Sequence, residues 1–163
     1  MDRVRERRTN NFLRQDRHEW WMDEALDQAR IALEKNEVPV GAVLLIENEV
    51  VGRGHNGSIE SCDPTAHAEI RALREACLKQ KNYRLPGSTL YVTLEPCLMC
   101  AGALLHARVA EVVFGAREPV GGVAGSIMNV LESGWLNHCT KVTAGIGAEE
   151  SSEMLREFFE RLR

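Results

Sequence analysis

The sequence predicts a single three-layer α/β/α domain around a mixed five-stranded sheet. Three observations carry this. Five short β-rich runs are interleaved with segments of helical period. The first two runs are separated only by the polar pair Glu47-Asn48, which makes an antiparallel hairpin, whereas helices separate the later runs and make them parallel. The 163 residues hold no repeat and no linker-like stretch, a length that suits one domain with a real core.

The elements follow in order. Residues 1–17 are polar and aperiodic and are expected to form a disordered basic arm, leaving residues 18–163 as the domain. Met22, Ala25, Leu26, Ala29, Ala32 and Leu33 recur at helical spacing, so a first helix is expected over 18–35, ended by Pro39 and Gly41. Val40 to Ile46 and Glu49 to Gly54 are the hairpin strands. After a loop rich in Gly, Ser and Asn, Asp63-Pro64 or Thr65 is expected to open a helix, because Asp or Thr caps and proline suits a first turn. Glu69, Ala72, Leu73 and Ala76 share one face of it. Pro86-Gly87 turns the chain into a strand from Thr89 to Thr93. Pro96 starts the next helix, with Cys97, Cys100, Ala101, Leu104 and Leu105 on one face. Val109 to Phe114 is a strand, the stretch from Gly121 to Gly125 a loop, and Lys141 to Gly145 a weak strand. Met154, Leu155, Phe158, Phe159 and Leu162 make a terminal amphipathic helix. The order is αββαβαβ(α)βα, with an optional helix before the last strand and helices on both faces of the sheet.

Composition excludes several classes. Apolar content of 44% and charged content of 27% are ordinary for a soluble domain, and no apolar run is long enough to span a bilayer. Five cysteines, two of them in a C-x-x-C, favour metal binding in a reducing compartment over a disulfide framework, so the cytoplasm is expected. The net charge of −4 announces no nucleic-acid binder. The charge is uneven, however. Six arginines face three acids in the first 17 residues, a local +3 against −7 for the rest. A solvated tail accounts for this arm more simply than an RNA contact does.

The chemistry lies in His67-Ala68-Glu69 and Pro96-Cys97-Leu98-Met99-Cys100. One imidazole and two thiolates suit Zn²⁺, and three protein ligands leave a fourth position for water. Cys97 and Cys100, three apart at a helix start, lie on one face, and the helix N-terminus favours their thiolates. His67, at the start of another helix, must reach the same point. Zinc brings the pKa of a bound water from ~15.7 to about 7. Glu69, two residues after a ligand, is placed to move its protons. The combination suits hydrolytic deamination of an aromatic amidine, leaving a carbonyl and ammonia. A lone C-x-x-C is as easily a redox pair or half a zinc knuckle; the joint motif is what points to catalysis.

The chain closely resembles the bacterial tRNA-specific adenosine deaminases of the cytidine deaminase-like superfamily. The resemblance runs from about Trp20 to Arg163. It rests on Asn36-Glu37-Val38-Pro39-Val40-Gly41-Ala42, Asp63-Pro64-Thr65-Ala66-His67-Ala68-Glu69-Ile70, Tyr91-Val92-Thr93-Leu94-Glu95-Pro96-Cys97 and Phe114-Gly115-Ala116-Arg117. It implies a cytidine deaminase-like fold and conversion of adenosine to inosine at the wobble position of a tRNA anticodon, in bacteria that of an arginine tRNA. It also implies one Zn²⁺ per subunit on His67, Cys97 and Cys100, with Glu69 as proton shuttle. Asn56 matches a residue that hydrogen-bonds the flipped base, Val38 and Pro39 match the pocket wall, and Ala68 offers its backbone N–H near the oxygen on zinc. The family is homodimeric, with an RNA groove shared by two subunits. Phe158 and Phe159 resemble the aromatic pair of its last helix, with core packing and RNA contact both open for them. Arg117 and the arm are candidates for phosphate attraction. The sequence departs from the pattern at Glu118, where Asp is usual, and at Val120, where Lys is common, with Pro119 between them; the resemblance puts this loop near the RNA and makes Glu118, like Arg117, a candidate RNA contact. The nearest alternatives are a zinc deaminase of free guanine or a cytosine nucleoside, and a non-catalytic zinc module.

Overall fold

In the computed structural model, which describes the backbone of residues 2–163 and the side chains of residues 16–163, the elements are α1 (Asp2–Glu34), β1 (Gly41–Ile46), β2 (Glu49–His55), α2 (Ser58–Ser61), α3 (Ala68–Gln80), β3 (Thr89–Leu94), α4 (Leu98–His106), β4 (Glu111–Ala116), β5 (Lys141–Ala144) and α5 (Ala148–Arg161). From residue 2 on, the arm expected over 1–17 falls within the span of α1, and of its side chains only Asp16 and Arg17 are described. The sheet order is β2-β1-β3-β4-β5. β1 is antiparallel to both β2 and β3, while β3, β4 and β5 are parallel. The mixed five-stranded sheet is therefore as the sequence predicts.

Alternation along the strands builds two cores. Ala42 and Leu44 of β1, Leu90 and Val92 of β3, and Val112 and Phe114 of β4 pack with Ala68, Ala72 and Ala76 of α3 and Ala101 and Leu104 of α4. Val43, Leu45, Tyr91 and Val113, the intervening residues, face Met22, Ala25 and Leu26 of α1. A period of two thus sends successive side chains into separate layers. The small residues of α3 let it lie close on β2. A Cβ added at Gly54 would stand 2.1 Å from the carbonyl oxygen of Ala68, so only glycine admits the first turn of α3 there.

The starts of α3 and α4 differ from the sequence expectation, α4 opening at Leu98 and not at Pro96 because Cys97 is still extended, with ψ of 172°. α3 opens at Ala68, not near Asp63, because Asp63 Oδ1 accepts the Thr65 N–H (2.8 Å) and hydroxyl (2.7 Å) and closes a local turn. The chain then extends at His67, with ψ of 156°, before the helix begins. The short helix α2 occupies part of the expected loop, and no helix lies between β4 and β5 among the described residues. That span, 117–140, is a chain of turns.

The register brings the site together. Gly41 pairs with His55, Ala42 with Val92, and Leu94 with Ala116. One end of the sheet therefore gathers the approach to β1 and the exits of β2, β3 and β4. The other end carries the Glu47-Asn48 turn, Thr89 and Glu111.

Candidate metal centre and active site

His67 and Cys97 hold equivalent places. Each is the extended residue just before its helix, with φ/ψ of −76°/156° and −79°/172°. Cys100 lies in the first turn of α4. His67 Nδ1 is 3.7 Å from Cys97 Sγ and 3.5 Å from Cys100 Sγ. The three ligand atoms lie within 4.8 Å of one another, and no fourth Asp, Glu, His or Cys joins this group among the described residues. Bonds of about 2.3 Å to sulfur and about 2.05 Å to nitrogen at a tetrahedral angle separate S and N by ~3.6 Å, so the triad fits zinc and leaves one position free.

The electrostatics agree. The Cys100 thiol donates toward Cys97 and, with His67, draws the Cys97 thiol down to about 4 against its burial. Cys100 is pushed up by that same thiolate, by burial and by Glu69. The hydrogen bond with Cys97 raises His67 above its ordinary value, burial opposes this, and the charges of Glu69 and Cys97 add to the rise. One thiolate is thus ready, and a metal completes the set by displacing the second proton. Glu69 is 4% exposed, and burial lifts its carboxyl to about 7, with Cys97 adding to the rise and His67 opposing it. A carboxyl held near neutrality is suited to both taking and giving a proton.

A cavity of about 440 Å³ opens beside the triad, lined by Val38, Val40, Asn56, His67, Glu69, Leu94, Glu95, Cys97, Glu118, Val120 and Gly121. Every one of these comes from the gathered end of the sheet or from α3. Asn56 is held firmly. Its N–H donates to Val40 O (3.0 Å), the neighbouring Gly57 N–H to Ala66 O (3.0 Å), and Arg71 Nη1 to His55 O (3.2 Å). The Ala68 N–H donates to Asn56 Oδ1 at 3.0 Å. A backbone N–H only donates, so the amide oxygen must face it and the NH₂ is left to the cavity.

The site residues expected from sequence divide accordingly. His67, Cys97, Glu69, Asn56, Val38 and Glu118 line one cavity, and Cys100 joins His67 and Cys97 at its edge. Pro39 is buried and Val40 takes its place in the wall, because β1 begins only at Gly41 and the segment before it is turned. The Ala68 N–H is engaged by Asn56, so it orients that amide instead of standing open. Arg117 is exposed, its guanidinium 5.8 Å from the Phe114 ring centre. Phe158 is 8% exposed and Phe159 48%, in an edge-to-face pair 5.3 Å apart. One ring therefore lies in the core and the other at the surface. Sequence reasoning missed Glu95. Its carboxylate is 2% exposed and accepts from Glu118 N, Ala124 N, Ser126 N and Ser126 Oγ. Burial alone would raise it, but these bonds hold it below the ordinary value. A charged residue at a strand end, just before a helix-starting proline, was the available signal.

Comparison with known proteins places this geometry. Residues 15–116 match the cytidine and deoxycytidylate deaminase zinc-binding region. A tRNA-specific adenosine deaminase of Bacillus subtilis is 48% identical, over 89% of this chain and 90% of its own. That of Haemophilus influenzae is 47% identical, over 93% and 88%. The chain belongs to the tRNA-specific adenosine deaminase family. The donor set of this family member is accordingly a zinc site. A structure from studies of A-to-I editing by tRNA:A34 deaminases at the wobble position is 44% identical, with a TM-score of 0.80, covering 83% of this chain and 98% of that one. A guanine deaminase from Nitrosomonas europaea superposes less closely, at 25% identity and a TM-score of 0.74, over 86% and 83%.

Proposed function

We propose that this chain hydrolyses adenosine to inosine at the wobble position of a tRNA anticodon, that of an arginine tRNA among its substrates. The observation that carries the reading is one cavity in which the His67–Cys97–Cys100 triad, a buried Glu69 and an amide NH₂ from Asn56 meet. The higher identity to tRNA deaminases than to the guanine enzyme supports the choice of substrate.

His67, Cys97 and Cys100 would hold one zinc per subunit. Zinc bound there supplies a water acidic enough to lose its proton near neutral pH. The protein's residues do the rest. Glu69 accepts one proton from the attacking water and gives it to the ring nitrogen beside the amino-bearing carbon; it then takes the second proton, from the hydroxyl now on that carbon, and gives it to the amine, which leaves as ammonia. Burial of Glu69 keeps bulk water from competing for that proton. The Asn56 NH₂ donates to an acceptor on the purine edge. Val38 and Val40 provide apolar wall for the ring. The target base must be splayed from a loop to enter, since the cavity has room for a base and not for a stem.

We infer further that the protein works as a cytoplasmic homodimer. Leu98 and Met99 on the outer side of α4, with Trp135 beyond it, are exposed apolar residues that a second copy would cover. No helix of the described residues is long and apolar enough to cross a membrane.

The test is incubation with total tRNA followed by inosine mapping, and then with an anticodon stem-loop, free guanine and cytidine in parallel. The expected result is inosine at the wobble adenosine, strong turnover of the stem-loop and falling activity as salt rises. Faster turnover of guanine or cytidine than of the stem-loop would replace this reading with the small-molecule one.

A further inference from the structure

Part of the cavity wall is made by a segment of turns, held locally by bonds such as Gly122 N–H to Glu118 O (2.9 Å) and Ile127 N–H to Gly122 O (3.0 Å). Residues 117–126 contain three glycines and lie outside every strand and helix. Glu118, Val120 and Gly121 from this segment line the cavity. Glu95 anchors it through four hydrogen bonds. Oε2 accepts the Glu118 N–H (3.0 Å) and the Ser126 hydroxyl, and Oε1 accepts the Ala124 N–H (2.9 Å) and the Ser126 N–H (2.9 Å). A carboxylate has about four lone-pair sites, and here each is used by this one segment. Gly122 sits inside the same clasp. A Cβ there would lie 2.5 Å from both the Glu95 carboxyl carbon and the Glu118 carbonyl oxygen. The segment is also tied to the metal side, since Val123 N–H donates to Pro96 O (3.0 Å) and Gly122 bridges to Cys97.

We propose that Glu95 is a positioning residue: by clasping residues 118–126 it sets the cavity wall against which the flipped nucleotide and its neighbours are placed. The inference rests on the wobble-adenosine reading for its substrate, but not for its structural half. Glu95 touches no reacting atom and moves no proton. Its effect passes through Glu118, Val120 and Gly121, so its loss weakens substrate placement more than the chemical step. Gln cannot replace it. Its NH₂ would face either the Ala124 and Ser126 N–H groups or the Glu118 N–H, so at least one fixed backbone donor is opposed whichever way the amide turns, and only the Ser126 hydroxyl can rotate to accept.

The experiment compares Glu95→Gln, Gly122→Ala and Ser126→Ala with the parent chain. Two readouts are used: amide hydrogen exchange, which needs no substrate, and steady-state kinetics on the anticodon stem-loop, with zinc content measured throughout. Glu95→Gln should speed exchange across 117–127 while α3 and α4 stay protected. It should raise KM by about tenfold or more while kcat stays within about threefold and one zinc is kept, the pattern of lost binding without lost chemistry. Gly122→Ala should give the same split by pushing the clasp open, and Ser126→Ala a milder one. These two decide the matter if Glu95→Gln does not fold. Unchanged exchange over 117–127, or a fall in kcat with KM unmoved, would overturn the assignment. If the parent itself ignores the stem-loop, the substrate reading fails, and exchange still decides whether Glu95 orders the wall.

Discussion

The metal cradle and the cavity wall are built on different physics. His67, Cys97 and Cys100 stand at the starts of two helices whose inner faces are locked in the larger core, so the ligands inherit the rigidity of the sheet. The wall from Glu118 to Gly121 lies in a run of turns outside every strand and helix, clasped by one buried carboxylate and tied by Val123 to Pro96. Chemistry that tolerates little misplacement is put on packed elements. Contacts that choose among substrates are put on a segment whose shape can change without unfolding the domain.

The difference is broken or sharpened by mutation, beginning with the cradle. Cys97→Ala removes a ligand and should abolish zinc retention and deamination together, with a lower melting temperature. Stoichiometric zinc in that variant, by metal analysis, would show that the cradle is not as drawn. Prolonged chelation of the parent should reproduce the loss of activity, and zinc should restore it.

Glu69→Gln comes next. It leaves the ligands in place, so zinc and fold should persist while kcat falls by ~10²–10⁴-fold. Turnover within a few-fold of the parent would remove Glu69 from proton transfer.

Gly54→Ala tests whether the cradle depends on the close approach of α3. The added Cβ would meet the Ala68 carbonyl at 2.1 Å, beside His67 and Glu69. Overpacking of this kind costs ~1–3 kcal/mol. Denaturant unfolding should record that loss, with weaker zinc binding alongside it. Unchanged stability would mean that α3 is free to shift.

The smallest effect on the fold is expected at Phe159 of α5, whose ring and that of Phe158 separate the two roles. Phe158→Ala should cost ~3–5 kcal/mol of stability, as for a buried aromatic. Phe159→Ala should change stability by within about 0.5 kcal/mol. If the exposed ring stacks on a base, worth about 1–3 kcal/mol, that variant should instead raise KM for the stem-loop. Equal stability losses in both variants would place both rings in the core.

How far the sequence could be read follows the same division. The ligands were legible because soft donors at fixed spacing have few other uses, and the strands because alternation has a period of two. The placing of β1 between β2 and β3 was not, since it depends on a crossover and not on any local pattern. The start of α3 was misplaced because Asp63 and Thr65 form a turn with the same residues that would cap a helix. Resemblance brought Asn56 forward, but its amide orientation became visible only when Ala68 N–H was seen to face it. Glu95 stayed hidden because its partners lie more than twenty residues along the chain, in a loop that carries no pattern of its own.

The hairpin turn at the far end of the sheet has its own use. Glu47 and Asn48 both carry positive φ, 52° and 63°, and close the tight two-residue link between β1 and β2. Both side chains are exposed, and the whole length of β1 separates them from the residues that precede Gly41. A reporter, surface tether or fused effector joined at this turn would therefore project from the pole opposite the catalytic mouth, leaving the nucleic acid unobstructed.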